Sequence, residues 1–89
     1  MTVMEEFGAR LREAREQAGY RSGHAFSAVL GIEKNRYRFY ERGQAQPPFD
    51  VLIRICWLLH IDVSDLLPMP RVPPIVSATA YRKYRKRAA

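Results

Sequence analysis

The chain has 89 residues, 47% apolar and 27% charged. That balance fits one folded domain and excludes both wholesale disorder and a two-lobed enzyme with a cleft between lobes. Basic groups exceed acids by six, and the one cysteine, Cys56, excludes an internal disulfide, so the core must hold the fold and a reducing cytoplasm is the expected setting. The longest apolar stretch, 51–61, is broken by Arg54 and His60 and falls short of the ~20 residues a membrane span needs. Glu5 and Glu6 stand where a secretion signal would be basic and then apolar, so no export is expected.

From 4 to 18, Phe7, Leu11, Ala14 and Ala18 recur as one helix stripe. Glu5 and Glu6 lie near its start, where negative charge meets the positive dipole end. Gly19 stops it. Ser22 is an N-cap for a short second helix carrying Ala25, Phe26, Val29 and Leu30, which Gly31 ends. After the brief turn 31–33, a third helix over 34–42 places Tyr37 and Tyr40 on an inner edge, with Ile32 joining the core. Lys34, Asn35, Arg36 and Arg38 fall on its outer face, and Gly43 closes it. Pro47 and Pro48 suit the first turn of a fourth helix, 49–59, striped by Leu52, Ile55, Cys56 and Leu59. Asp62 caps a fifth, 63–67, and Pro68 stops it. Pro70, Pro73 and Pro74 end the compact region. The fold class is therefore all-α: five short helices over 1–67, then a Pro-rich segment and basic tail over 68–89. Within the tail, 75–80 reads as a short strand, or Ser77 caps a terminal helix.

The charge excess is not spread evenly. Residues 1–70 hold equal numbers of bases and acids, and the whole surplus lies in Arg71, Arg82, Lys83, Arg85, Lys86 and Arg87. Such a tail seeks phosphate or an acidic surface, or merely solubilises the chain. Two short helices joined by a glycine-containing turn are the helix-turn-helix signature, whose second helix enters the major groove of DNA. Asparagine reads adenine there with two hydrogen bonds, and lysine or arginine reads guanine. The bland reading of the same face is a solvated basic surface. His24 and His60 have no partners at ligand spacing, so neither a metal site nor a cofactor is expected. Cys56, on the apolar stripe, reads as a structural thiol. No clustered carboxylates or phosphate loop suggest an enzyme.

Residues 7–67 resemble the Cro/repressor-type (XRE-like) helix-turn-helix family. The likeness rests on residues 10–15, Arg-Leu-Arg-Glu-Ala-Arg; on Leu30-Gly31-Ile32 at the turn; and on Tyr40-Glu41-Arg42-Gly43. It extends through 47–56 to Leu59, Ile61, Val63, Asp65, Leu66 and Leu67. The resemblance implies a five-helix lambda-repressor-like domain. Lys34, Asn35, Arg38 and Phe39 would meet base edges, Phe39 by apolar contact alone. Ser22, Arg36, Arg42 and Gln44 would meet the DNA backbone. Glu41 would form a structural ion pair with Arg15. The interval from Gly19 to Gly31 is one residue longer than the family's, which would displace helix two, and Glu33 stands where a small N-cap is usual.

Ile53 and Trp57 are apolar where the family is polar. They either bury against the chain's own proline segment or form a subunit contact, and a symmetric homodimer through helices four and five and 68–80 is favoured. The expected function is a sequence-specific transcriptional regulator of bacterial or phage type. It binds double-stranded DNA at an inverted repeat, with Arg82, Lys83, Arg85, Lys86 and Arg87 following phosphates. Its own concentration or a regulatory protein partner would control it, and it would lie with the nucleoid in the cytoplasm. The rival expectation is a protein-binding module of the same fold, an antitoxin or anti-activator, acting through its apolar helix-four face.

Overall fold

A computed structural model of the chain describes residues 2–68. The expectations for 75–80 and for Arg82, Lys83, Arg85, Lys86 and Arg87 lie outside the described residues. Five helices follow one another: α1 (Val3–Gln17), α2 (Gly23–Leu30), α3 (Lys34–Glu41), α4 (Phe49–Leu59) and α5 (Val63–Leu66). Among the described residues there is no strand.

Helix α1 starts one residue before the expected position because Thr2 caps it. The Thr2 hydroxyl accepts from the Glu5 amide at 3.1 Å, and the Glu5 carboxylate accepts from the Thr2 amide at 3.0 Å. This reciprocal box satisfies two amides that the helix leaves unpaired. Phe7 and Leu11 then point into the core. Gly8 is also buried. A β-carbon there would lie 2.2 Å from the Glu41 carbonyl oxygen, so the end of α3 rests directly on the α1 backbone. Gly43 makes a second close approach, with φ +71° and a β-carbon position 2.6 Å from the Glu5 Cα. Only glycine meets both conditions without strain.

Helix α4 departs from the expected stripe. Val51, Ile55 and Leu59 are its buried residues, whereas Leu52 and Cys56 are half-buried. Helix α4 packs against α2 and α5, and Leu52 lies at the edge of the core, lining a groove with Phe7 of α1. The Cys56 thiol is accordingly a packing group at the core's edge, and burial pushes its pKa up. Pro48 is the N-cap of α4 with extended backbone, not part of its first turn, since α4 begins at Phe49. His60 ends α4 in the left-handed region at φ 55°. Helix α5 stops one residue earlier than expected, at Leu66, because Leu67 ahead of proline takes an extended conformation.

The core joins all five helices through Phe7, Leu11, Phe26, Leu30, Tyr37, Tyr40, Val51, Ile55, Leu59 and Leu66. A row of aromatic rings runs through it beneath α3. Centroid spacings are 4.9 Å for Tyr20–Phe26, 5.5 Å for Phe26–Tyr37 and 6.2 Å for Tyr37–Tyr40, all tilted or edge-on. Phe26 is fully buried within this row, and Ser22 caps α2.

Candidate nucleic-acid interface

Helices α2 and α3 are joined by Gly31, Ile32 and Glu33. Gly31 takes the left-handed conformation that ends α2, and the Gly31 and Ile32 amides both donate to the Ser27 carbonyl at 2.9 and 3.0 Å. Arg54 reaches across from α4 and donates from Nη1 to the Leu30 carbonyl at 2.8 Å. That bond satisfies a carbonyl at the end of α2 and ties the turn to the rest of the fold.

The rotational setting of α3 follows from its two buried tyrosines. With Tyr37 and Tyr40 inward, the 100° advance per residue puts Asn35, Arg38, Phe39 and Arg42 on the side facing directly away from the core. Lys34 and Arg36 flank that side, one to each edge. All six are exposed, Phe39 at 45%. Gln44 is exposed in the loop just beyond.

A buried polar unit anchors this helix. Arg15, only 4% exposed, donates from Nε to Glu41 Oε2 at 2.7 Å, from Nη2 to Oε1 at 3.3 Å and from Nη1 to the Tyr20 carbonyl at 2.7 Å. Tyr37 donates its hydroxyl to the same carboxylate at 2.5 Å. Burial alone would lower the Arg15 pKa, but the hydrogen bond and charge of Glu41 outweigh it and raise it. Burial first, then the bond to Glu41, pushes the Tyr37 phenol above its ordinary range, so it stays protonated at neutral pH. The unit therefore offers nothing to a ligand; it fixes the end of α3 against α1.

The decisive electrostatic feature is invisible in the totals. Among the described residues, Arg10, Arg12, Arg15 and Arg54 have ion-pair partners. Those without one are Arg21, at the entrance to α2, and Lys34, Arg36, Arg38 and Arg42, on α3 or at its C-cap. Net charge is near zero, yet four of these five free cations belong to one helix and its end. Glu33 is the exception there. Its carboxylate caps α3, accepting from the Arg36 amide at 3.1 Å, and the Asn35 and Arg36 amides hold it below the usual carboxylate range.

Ser22 caps α2, accepting from the Ala25 amide at 3.1 Å. Its own hydroxyl hydrogen can still donate outward. Arg21, one residue earlier, was not singled out by its sequence position. Its place beside the α2 cap was the available signal. Ile53 and Trp57 lie away from this surface on α4, exposed at 67% and 75%.

A three-residue turn between two packed helices, with the second helix projecting a polar and cationic face, defines a helix-turn-helix protein. The profile of the helix-turn-helix domain family matches residues 6–67, and the chain belongs to that family, in its Cro/repressor-type (XRE-like) group. It is 37% identical over 60 residues to the HTH-type transcriptional regulator ImmR of Bacillus subtilis, covering 67% of this chain and 46% of that protein. It is 34% identical over 61 residues to YonR, an SPbeta prophage-derived uncharacterized HTH-type transcriptional regulator of the same organism, covering 68% of this chain and 56% of that one. The chain thus spans about half the length of these curated relatives. Among solved structures it resembles the restriction-modification controller protein C.AhdI from Aeromonas hydrophila, with a TM-score of 0.65 and 26% identity, covering 72% of this chain and 96% of that one.

Among the described residues, no helix is long and apolar enough to cross a membrane, and no three His, Cys, Asp or Glu side chains gather as a metal site.

Proposed function

We propose that this protein is a sequence-specific DNA-binding transcriptional regulator that places α3 in the major groove. The observation that carries the reading is the outward face of α3. Its exposed Asn35 and Arg38 are of the residue types that read adenine and guanine, and four of the five cations without an ion-pair partner among the described residues, Lys34, Arg36, Arg38 and Arg42, lie on this helix or at its end. Lys34 and Phe39 complete the base-reading set. Ser22, Arg36, Arg42, Gln44 and Arg21 meet phosphates on either side, and the tail residues Arg82, Lys83, Arg85, Lys86 and Arg87 add further phosphate contacts. The names of ImmR and YonR support regulation of transcription.

The test is a mobility-shift titration with duplex from the protein's own promoter region. Arg38→Ala and Asn35→Ala should each cost about 1–3 kcal/mol of binding and relax base preference at one position. Unchanged selectivity in both variants would overturn the assignment of the reading helix. Glu33→Ser keeps an N-cap while removing a carboxylate from the DNA-facing surface. It should raise the affinity for operator and for random duplex by the same factor, leaving the ratio of specific to non-specific affinity unchanged; a changed ratio would mean that Glu33 takes part in base selection.

The operator reading is an inverted repeat bound by a homodimer, with repression by occlusion of the promoter. Exposed Ile53 and Trp57 support a two-fold contact through α4, because large apolar side chains left in water cost about 1.5–3 kcal/mol each. Two copies of α3 would then address half-sites about 34 Å apart. Trp57→Glu should shift the sedimentation mass from dimer to monomer; an unchanged dimer mass removes Trp57 from the contact.

A further inference from the structure

The last described helix releases the chain at Leu67, on the edge of an apolar groove. The groove has a volume of about 270 Å³ and lies between the start of α1, the 46–48 loop and the start of α4. Phe7, Pro47 and Leu52 form its floor; Val3, Phe49 and Leu67 form its rim. No charged side chain lines it. Phe49 is 84% exposed, the most of any large apolar side chain described. Neither the core nor the DNA-facing surface uses this groove.

The next eight residues in sequence, 69–76, read Met-Pro-Arg-Val-Pro-Pro-Ile-Val, all apolar but one. Their three prolines restrict the backbone to extended, polyproline-like conformations. Segments of this kind dock into aromatic-lined grooves because they have little conformational entropy left to lose. We propose that residues 69–76 dock into the groove of their own chain. At about 3.3 Å per extended residue, eight residues reach about 26 Å, enough to cross a groove of this size. The segment is tethered at the groove's edge, so its effective concentration there is in the millimolar range, and a weak apolar contact suffices.

The experiment compares amide resonances of the full chain with those of Ile75→Asp/Val76→Asp, without DNA. Docking predicts shifts at Val3, Phe7, Leu52 and Leu67 beyond the substituted neighbourhood. Shifts confined to 70–80 would overturn it. So would shifts centred on Ile53 and Trp57, which would mean that the segment serves the α4 face instead. As a second measurement, Val3→Cys with Ile75→Cys in a Cys56→Ser background should form an intrachain disulfide in most molecules, since the bond needs Cβ atoms about 3.5–4.5 Å apart. Val29→Cys with Ile75→Cys should not. Equal yields from the two pairs, or a disulfide between chains, would overturn docking within one chain. Neither measurement involves DNA, so its failure stands apart from any failure of the regulator reading.

Discussion

Glu41→Ala will lower the unfolding free energy by about 3–5 kcal/mol, because it strands a buried cation. Arg15 is 4% exposed and gives two of its three hydrogen bonds to Glu41. Removing the carboxylate leaves a guanidinium that can neither reach water freely nor lose its proton. Tyr37 loses its only acceptor among the described residues at the same time, and an unsatisfied buried hydroxyl adds a cost of about 1–3 kcal/mol that overlaps with the first. Small domains are stable by only about 5–15 kcal/mol in total, so the variant will be near the threshold of folding. Urea unfolding of wild type and variant measures the difference. A loss under about 1 kcal/mol would class the pair with surface bridges, which contribute little. Arg15→Met/Glu41→Leu should be more stable than Glu41→Ala alone, because it removes the stranded charge and fills the volume.

Gly8→Ala is expected to destabilise the protein by about 1–3 kcal/mol, the usual cost of overpacking. The sign makes the experiment informative. By helix propensity alone, alanine in the middle of α1 would stabilise by about 1 kcal/mol. The added β-carbon, however, would sit 2.2 Å from the Glu41 oxygen, 2.7 Å from its carbonyl carbon and 2.8 Å from the Tyr40 oxygen. All three are backbone atoms, so no side chain can swing aside. The end of α3 must move off α1, disturbing both the Arg15–Glu41 unit and the setting of the outward face. Thermal unfolding should show a lower midpoint, by about 4–8 °C for each kcal/mol lost. A raised midpoint would show that the two helices do not touch backbone to backbone.

The sequence by itself determined the local features of this protein. Apolar spacing marked α1 through Phe7 and Leu11, the paired tyrosines set the inner edge of α3, and Ser22, Gly19 and Gly31 marked ends through capping chemistry that depends on neighbours in the chain. The resemblance at Tyr40-Glu41-Arg42-Gly43 pointed to the partner of Arg15. What only the tertiary structure decided depends on atoms distant in sequence. Gly8 is an ordinary helical glycine until the end of α3 lies on it. Val51 joins the core and Leu52 stays at its edge only because of how α4 sits on α2 and α5, and Arg54 is a mere interruption of an apolar run until its guanidinium reaches Leu30. The balanced charge of the domain becomes uneven only when folding pairs four arginines with acids and leaves Lys34, Arg36, Arg38 and Arg42 of α3 and its end without one. Composition counts charges but cannot say which of them folding neutralises.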